Sequence, residues 1–222
     1  MKPTDLKYPF PWEKRKPMIH QGVLFVPAHY FEHTAFSFPA WQDIFGNDRP
    51  VTIEFCSGNG TWLVEKAKDQ TRNFVAVEWD FERVRKIWYK AKNLGLSNLF
   101  IVCGEAQVFA RDYLQSASVN TIYINFPDPW PKPKHAKNRL FQAPFVNELA
   151  RVLQPQGSVT IATDDEMYGK QIVREFGKWQ SAYPSPHYLT EWEGYGTSYF
   201  DALWRGKGKT IYYFQYKYRW TE

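Results

Sequence analysis

Three acids and one proline-stiffened loop are the residues of this 222-residue sequence whose types and spacing could do chemistry. Glu54, Glu78 and Glu105 each fall at or just past the end of a short apolar run, at 51–55, 73–77 and 99–103. A carboxylate at the end of an apolar strand is costly to bury without a partner. One such acid reads as a solvated loop start, but three on successive runs point to a ligand. The loop is Asn125–Phe126–Pro127–Asp128–Pro129–Trp130–Pro131–Lys132, continuing to Lys134, His135, Lys137 and Arg139. Its prolines present one carboxylate, one indole and then a cationic run in a fixed order. That set suits a flat base attached to a phosphate backbone.

The turn after the first acid contains Gly58 and Gly60, where backbone can approach a ligand closely. A nicotinamide dinucleotide would need a third small residue three positions after Gly60. Leu63 stands there and would obstruct a pyrophosphate, so an adenosine ligand without phosphates is preferred. S-adenosylmethionine fits: Glu54 for its ammonium side, Glu78 for the ribose hydroxyls, Glu105 beside the adenine. The helix start at Thr61 faces the methionine carboxylate in this reading.

The elements that must position these residues follow from periodicity. Apolar runs at 51–55, 73–77, 99–103, 119–124 and 158–162 alternate with helical patterns at 61–68, 81–94, 105–114, 141–153 and 166–179. Alternation of this kind predicts an α/β fold with a largely parallel sheet. Ligands of such sheets bind beyond the carboxyl ends of the strands, where the acids, Asp128 and Asp164 all fall. Segments 187–192 and 210–218 also read as strands. Residues 1–50 differ: lysines and Arg15 alternate with prolines and aromatic residues, which blocks a long helix. They read as a basic arm packed on a domain spanning 51–222, either loosely ordered or contacting RNA.

Composition narrows the classes. An apolar fraction of 44% with 18% aromatic residues excludes intrinsic disorder. No run approaches the roughly 20 residues of a membrane helix, and no secretory signal is visible. Two cysteines, Cys56 and Cys103, exclude a disulfide scaffold and predict a reducing, cytoplasmic setting. The five histidines, at 20, 29, 33, 135 and 187, have no metal-ligand spacing, so no metal is expected. A net charge of +5 permits a polyanionic partner.

The sequence resembles the bacterial tRNA (guanine-N7)-methyltransferases over residues 40–220. The matching segments are Phe45–Gly46–Asn47, the Glu54-to-Gly60 turn, Glu78, Phe126–Pro127–Asp128–Pro129–Trp130 with Lys132, Ala162–Thr163–Asp164, and Ser198–Tyr199–Phe200–Asp201 before Trp204. It departs from the family at Cys56, where glycine is usual, at Glu105, where Asp or Asn is usual, and in the tail, where Ser198 and Asp201 replace Thr and Glu. The resemblance implies a Rossmann-like, seven-stranded methyltransferase sheet with helices on both faces. It also implies S-adenosylmethionine as cofactor, tRNA as partner and a variable-loop guanine as target. Asp128 becomes the expected catalytic residue, also touching the cofactor, with Lys132, Asp164, Ser198 and Asp201 holding the nucleotide. Asp201, Asp164 and Asp128 compete as readers of the guanine edge. Guanine N7 carries a lone pair and no proton, so alignment and electrostatics suffice. Two other readings stay open: an amino-methyltransferase acting on an exocyclic amine, and a non-catalytic RNA-binding module. Either a monomer or a homodimer is compatible with the sequence.

Overall fold

A computed structural model describes residues 1–28, 30, 32–196 and 198–219. His29, one of the five histidines, lies outside the described residues. The chain divides into two compact units, Met1–Gln115 and Ser116–Glu222.

In the first unit five strands lie in the order β1 (Met18–His20), β2 (Val23–Phe25), β5 (Leu99–Cys103), β4 (Asn73–Glu78), β3 (Val51–Phe55). β1 and β2 are antiparallel and the other pairings parallel, with Glu54 opposite Ala76 and Glu78 opposite Cys103. β3 and β4 are buried at every position, so they read as continuous apolar runs rather than alternating ones. Helices α1 (Trp41–Phe45), α2 (Thr61–Lys66), α3 (Phe81–Asn93) and α4 (Ala106–Asp112) connect them. Asp80 starts α3 by accepting the amides of Glu82 and Arg83, and left-handed Gly95 follows its end. Val84, Ile87, Trp88 and Ala91 form its buried stripe.

The second unit holds β6 (Val119–Asn125), β7 (Leu153–Thr163), β9 (Tyr212–Lys217) and β8 (Gln180–Ser181), in that spatial order. β6 and β7 are parallel, whereas β9 runs antiparallel to both neighbours. α5 (Ala143–Val152), α6 (Glu166–Glu175) and α7 (Tyr199–Gly206) complete it. Phe141, Phe145, Phe176 and Phe214 are almost fully buried, each contributing about 1.5–3 kcal/mol through burial.

The α/β class and the parallel core agree with the sequence reading, but the described residues hold nine strands instead of seven. The surplus is the β1–β2 hairpin. It lies in the stretch read as an arm, where Val23–Phe25 is fully buried and pairs with β5. Three-residue strands are too short to carry a periodic signal. One tail expectation changes, and the tail adds a helix. Segment 187–192 gives only an isolated bridge, Leu189 to Tyr213, and Ser198 opens helix α7.

Candidate functional site

β3 delivers Glu54, 2% exposed, into a turn with three left-handed residues: Cys56 (φ 59°), Gly58 (φ 56°) and Gly60 (φ 67°). The Ser57 hydroxyl donates to the Glu54 carbonyl at 2.7 Å, and its amide donates to the Val77 carbonyl at 3.1 Å. Gly60 is fixed twice over, by its φ and by space. A Cβ there would lie 2.7 Å from Ile87 Cγ1 of α3. Lys90 of the same helix donates to the Asn59 carbonyl at 2.8 Å and to the Thr61 hydroxyl at 3.0 Å.

Glu78, at the end of β4, is 2% exposed and organises this turn. Its Oε2 accepts the Gly58 amide at 2.8 Å, and its Oε1 accepts the amides of Trp79 and Asp80, both at 3.0 Å. Arg83 stands 3.9 Å away. Burial pushes the carboxyl's pKa above its ordinary value, against the opposing pull of the Asp80 amide and Arg83. A carboxylate has roughly four acceptor positions. Three go to backbone, so Glu78 shapes the glycine turn and keeps capacity for one further donor.

Trp79, directly after Glu78 in the chain, lines a cavity of about 760 Å³ together with Gly104, Glu105 and Val108; Glu78 itself is not part of the lining. Trp79 is 72% exposed. Gly104 donates to the Glu78 carbonyl at 3.0 Å, tying the end of β5 to the end of β4. A Cβ on Gly104 would lie 2.7 Å from Val26 Cβ. Glu105 is exposed at the start of α4, with its side chain free of any capping bond there. Burial, then Glu78 and Asp80, push the Cys103 thiol up to about 12, so it stays protonated. A cavity of this size, with the Trp79 ring and the Glu105 carboxylate in its lining, fits an adenosyl group. Trp79 had no sequence signal of its own beyond its place directly after Glu78.

In the second unit β6 ends at buried Asn125, whose Oδ1 accepts the Tyr195 hydroxyl at 2.5 Å. The loop then turns through two left-handed residues, Phe126 (φ 53°) and Trp130 (φ 41°). Between them Asp128 is exposed, and its Oδ1 accepts the Trp130 amide at 3.2 Å. This local bond fixes the carboxylate's direction. Lys132 follows, exposed, ahead of a 3₁₀ turn at Pro133–Asn138. Lys134 and Lys137 are exposed as well. Arg139 departs from the cationic run it ends. It is 8% exposed, donating to the Pro129 carbonyl at 2.8 Å and to Gln171 Oε1 at 2.7 Å. Gln171, on α6, donates in turn to the Phe141 carbonyl at 2.9 Å. Arg139 is a clamp under the loop.

The remaining expected residues have internal partners. Asp164 follows β7 and forms an ion pair with Lys209, whose ammonium lies 4.1 Å from the Trp204 ring centre. Ser198 caps α7 by accepting the Asp201 amide at 3.0 Å. Asp201 is buried and accepts Arg205 Nε at 2.9 Å and the Tyr213 hydroxyl at 2.6 Å. Burial first, and the Asp201 bond second, push Tyr213 up to about 12. Reading a base with Asp201 therefore requires exchanging these bonds. Asp128 is the acid of the three whose carboxylate is exposed. Among the described residues no group of three or more His, Cys, Asp or Glu side chains is disposed to hold a metal.

Comparison with known proteins places this geometry. A family model described as "Putative methyltransferase" matches residues 48–212. The tRNA (guanine-N(7)-)-methyltransferase of Chlamydia felis is 49% identical over 217 residues, 97% of each chain. That of Rubrobacter xylanophilus is 32% identical over 179 residues, 78% of each. Among solved structures, the 16S rRNA methyltransferase KamB aligns with a TM-score of 0.58 at 16% identity, over 82% of this chain and 95% of that one. The last likeness bears on the fold, which is that of a Rossmann-like methyltransferase. With 97% of its length matched at 49% identity, the chain belongs to the tRNA (guanine-N(7)-)-methyltransferase family.

Proposed function

We propose that this enzyme methylates N7 of a variable-loop guanine in tRNA with S-adenosylmethionine, using Asp128 at the reacting base. The observation that carries the catalytic assignment is the exposed Asp128 carboxylate, held by the Trp130 amide in a loop clamped from beneath by Arg139. S-adenosylmethionine, when bound, supplies an electrophilic methyl group on a sulfonium. Glu78 would accept one ribose hydroxyl with its remaining acceptor capacity. Trp79 and Glu105 would hold the adenine, and Glu54 with the Gly58 and Gly60 turn would hold the methionine end.

The purine gains positive charge as N7 takes the methyl group. A carboxylate fixed beside it attracts the ring more strongly in the transition state than in the ground state. Asp128 therefore acts by electrostatics and orientation, without taking a proton from N7. Lys132 holds the adjoining phosphate. Asp164 and Asp201 maintain the nucleotide side of the site through Lys209, Arg205 and Tyr213. The enzyme works in the cytoplasm, where its two cysteines remain thiols.

Asp128→Ala should lower the single-turnover methylation rate about 10²–10³-fold, with tRNA affinity within about two-fold. Mapping the methylated position by cleavage at N7-methylguanosine tests the target. Cleavage in the variable loop is expected, and cleavage confined to another loop would overturn that assignment. A near-normal rate for Asp128→Ala would remove this residue from the chemistry.

A further inference from the structure

The first seventeen residues are the part of the chain that the methylation chemistry leaves without a task. They are nevertheless pinned to the first unit. Leu6 is fully buried, and its carbonyl accepts Arg85 Nε of α3 at 3.1 Å. The Tyr8 ring stacks on Phe81 with centroids 3.9 Å apart and planes 29° from parallel. Phe10 meets Phe25 edge-on at 6.1 Å, and Pro17 is buried. Phe81 is the first residue of α3, only three positions after Glu78. The arm thus grips the segment that carries the acid read here as the ribose ligand.

The same residues turn toward the cavity. Tyr8, Phe10 and Arg15 line it, as do Trp79, Gly104 and Glu105. Tyr8 is 53% exposed and Trp79 72% exposed, so two large rings at one cavity keep uncovered surface. A flat, apolar-faced heterocycle entering between them would remove that surface from water and find stacking partners.

We propose that Tyr8 and Phe10 belong to the cofactor site, the arm forming the outer wall of its adenine half. This rests on the reading of Glu78, Trp79 and Glu105 as cofactor residues. Because linkage is reciprocal, a bound adenosyl group should also hold the arm down. Stacking on an aromatic ring is worth about 1–3 kcal/mol, which is about 5-fold or more in affinity.

The test uses the full chain with S-adenosylhomocysteine as probe. Calorimetry compares wild type, Tyr8→Ala, Phe10→Ala and Glu78→Ala, each checked for a normal unfolding transition, and filter binding measures tRNA affinity. Tyr8→Ala and Phe10→Ala should each bind the probe at least about 5-fold more weakly, with tRNA affinity within two-fold. Trypsin cleavage after Lys14 and Arg15 of the wild type should slow several-fold at saturating probe, a readout that needs no variant. Unchanged probe affinity in both arm variants and unchanged cleavage, with Glu78→Ala weakened, would overturn the arm's role alone. Unchanged affinity in Glu78→Ala too would overturn the cofactor-site reading and the arm's role with it. Loss of tRNA affinity with probe affinity intact would place the arm on RNA and refute the proposal.

Discussion

Cys56 stands at φ 59° in the turn that follows β3. A residue with a Cβ pays roughly 1–2 kcal/mol in this left-handed region, partly offset in a glycine replacement by added unfolded-chain entropy of about 0.5–1 kcal/mol. Cys56→Gly should therefore match wild type or gain up to about 1 kcal/mol in urea unfolding, and Cys56→Val should lose stability. A Cys56→Gly chain clearly less stable than wild type would show that the thiol has a packing role that outweighs the strain. Glu78 gives a pH-dependent test. Its carboxyl holds a proton more tightly folded than unfolded, so from the ordinary value of 4.5 up to its raised folded value the native state carries more protons. Stability from this group is fully present below 4.5 and is lost as pH rises through that window. Cofactor affinity should run oppositely, falling as pH drops, because the protonated group loses acceptor capacity. Binding measured from pH 5 to 7.5 should show that slope in wild type, and Glu78→Gln should flatten it. The acids were legible at this scale because apolar runs make a terminal carboxylate conspicuous. Their partners were not: a backbone amide donor such as Gly58 leaves no mark in residue type.

Arg139 shows how elements hold the loop. It reads in the sequence as one more cation, yet it spans from the Pro129 carbonyl to Gln171 of α6. Removing a buried charged donor that satisfies two acceptors costs about 1.5–3 kcal/mol per bond. Arg139→Met should reduce the single-turnover rate by tenfold or more while leaving the salt dependence of tRNA binding unchanged. Arg139→Lys should rescue poorly, because a lysine ammonium cannot reproduce the planar fork. A reduced salt slope with a normal rate would instead put Arg139 on a phosphate. The strands and helices from Val51 to Cys103 were readable almost to the residue, since buried parallel strands and an amphipathic α3 carry strong patterns. The β1–β2 hairpin and α7 were not. The hairpin strands are three residues long, and α7 begins at a serine cap that reads equally as a turn.

At the scale of the whole molecule, the charge and the family set the partner. Lys132, Lys134 and Lys137 are exposed beside the Asp128 loop, whereas Lys209 is engaged with Asp164 and Trp204. If the exposed lysines meet phosphates, log affinity for tRNA falls with log salt by about 0.7–0.9 per contact. The double variant Lys134→Ala/Lys137→Ala should lower that slope by about 1.4–1.8, and an unchanged slope would leave these lysines in solvent. The central claim is the identity of the reacting atom. Unmodified tRNA incubated with the enzyme and methyl-labelled S-adenosylmethionine, then digested to nucleosides, reports it directly. Label should appear in N7-methylguanosine, and it should fall by two to three orders of magnitude in initial rate with Asp128→Ala. Label on an exocyclic amine, or none from a protein that binds both tRNA and cofactor, would contradict the account.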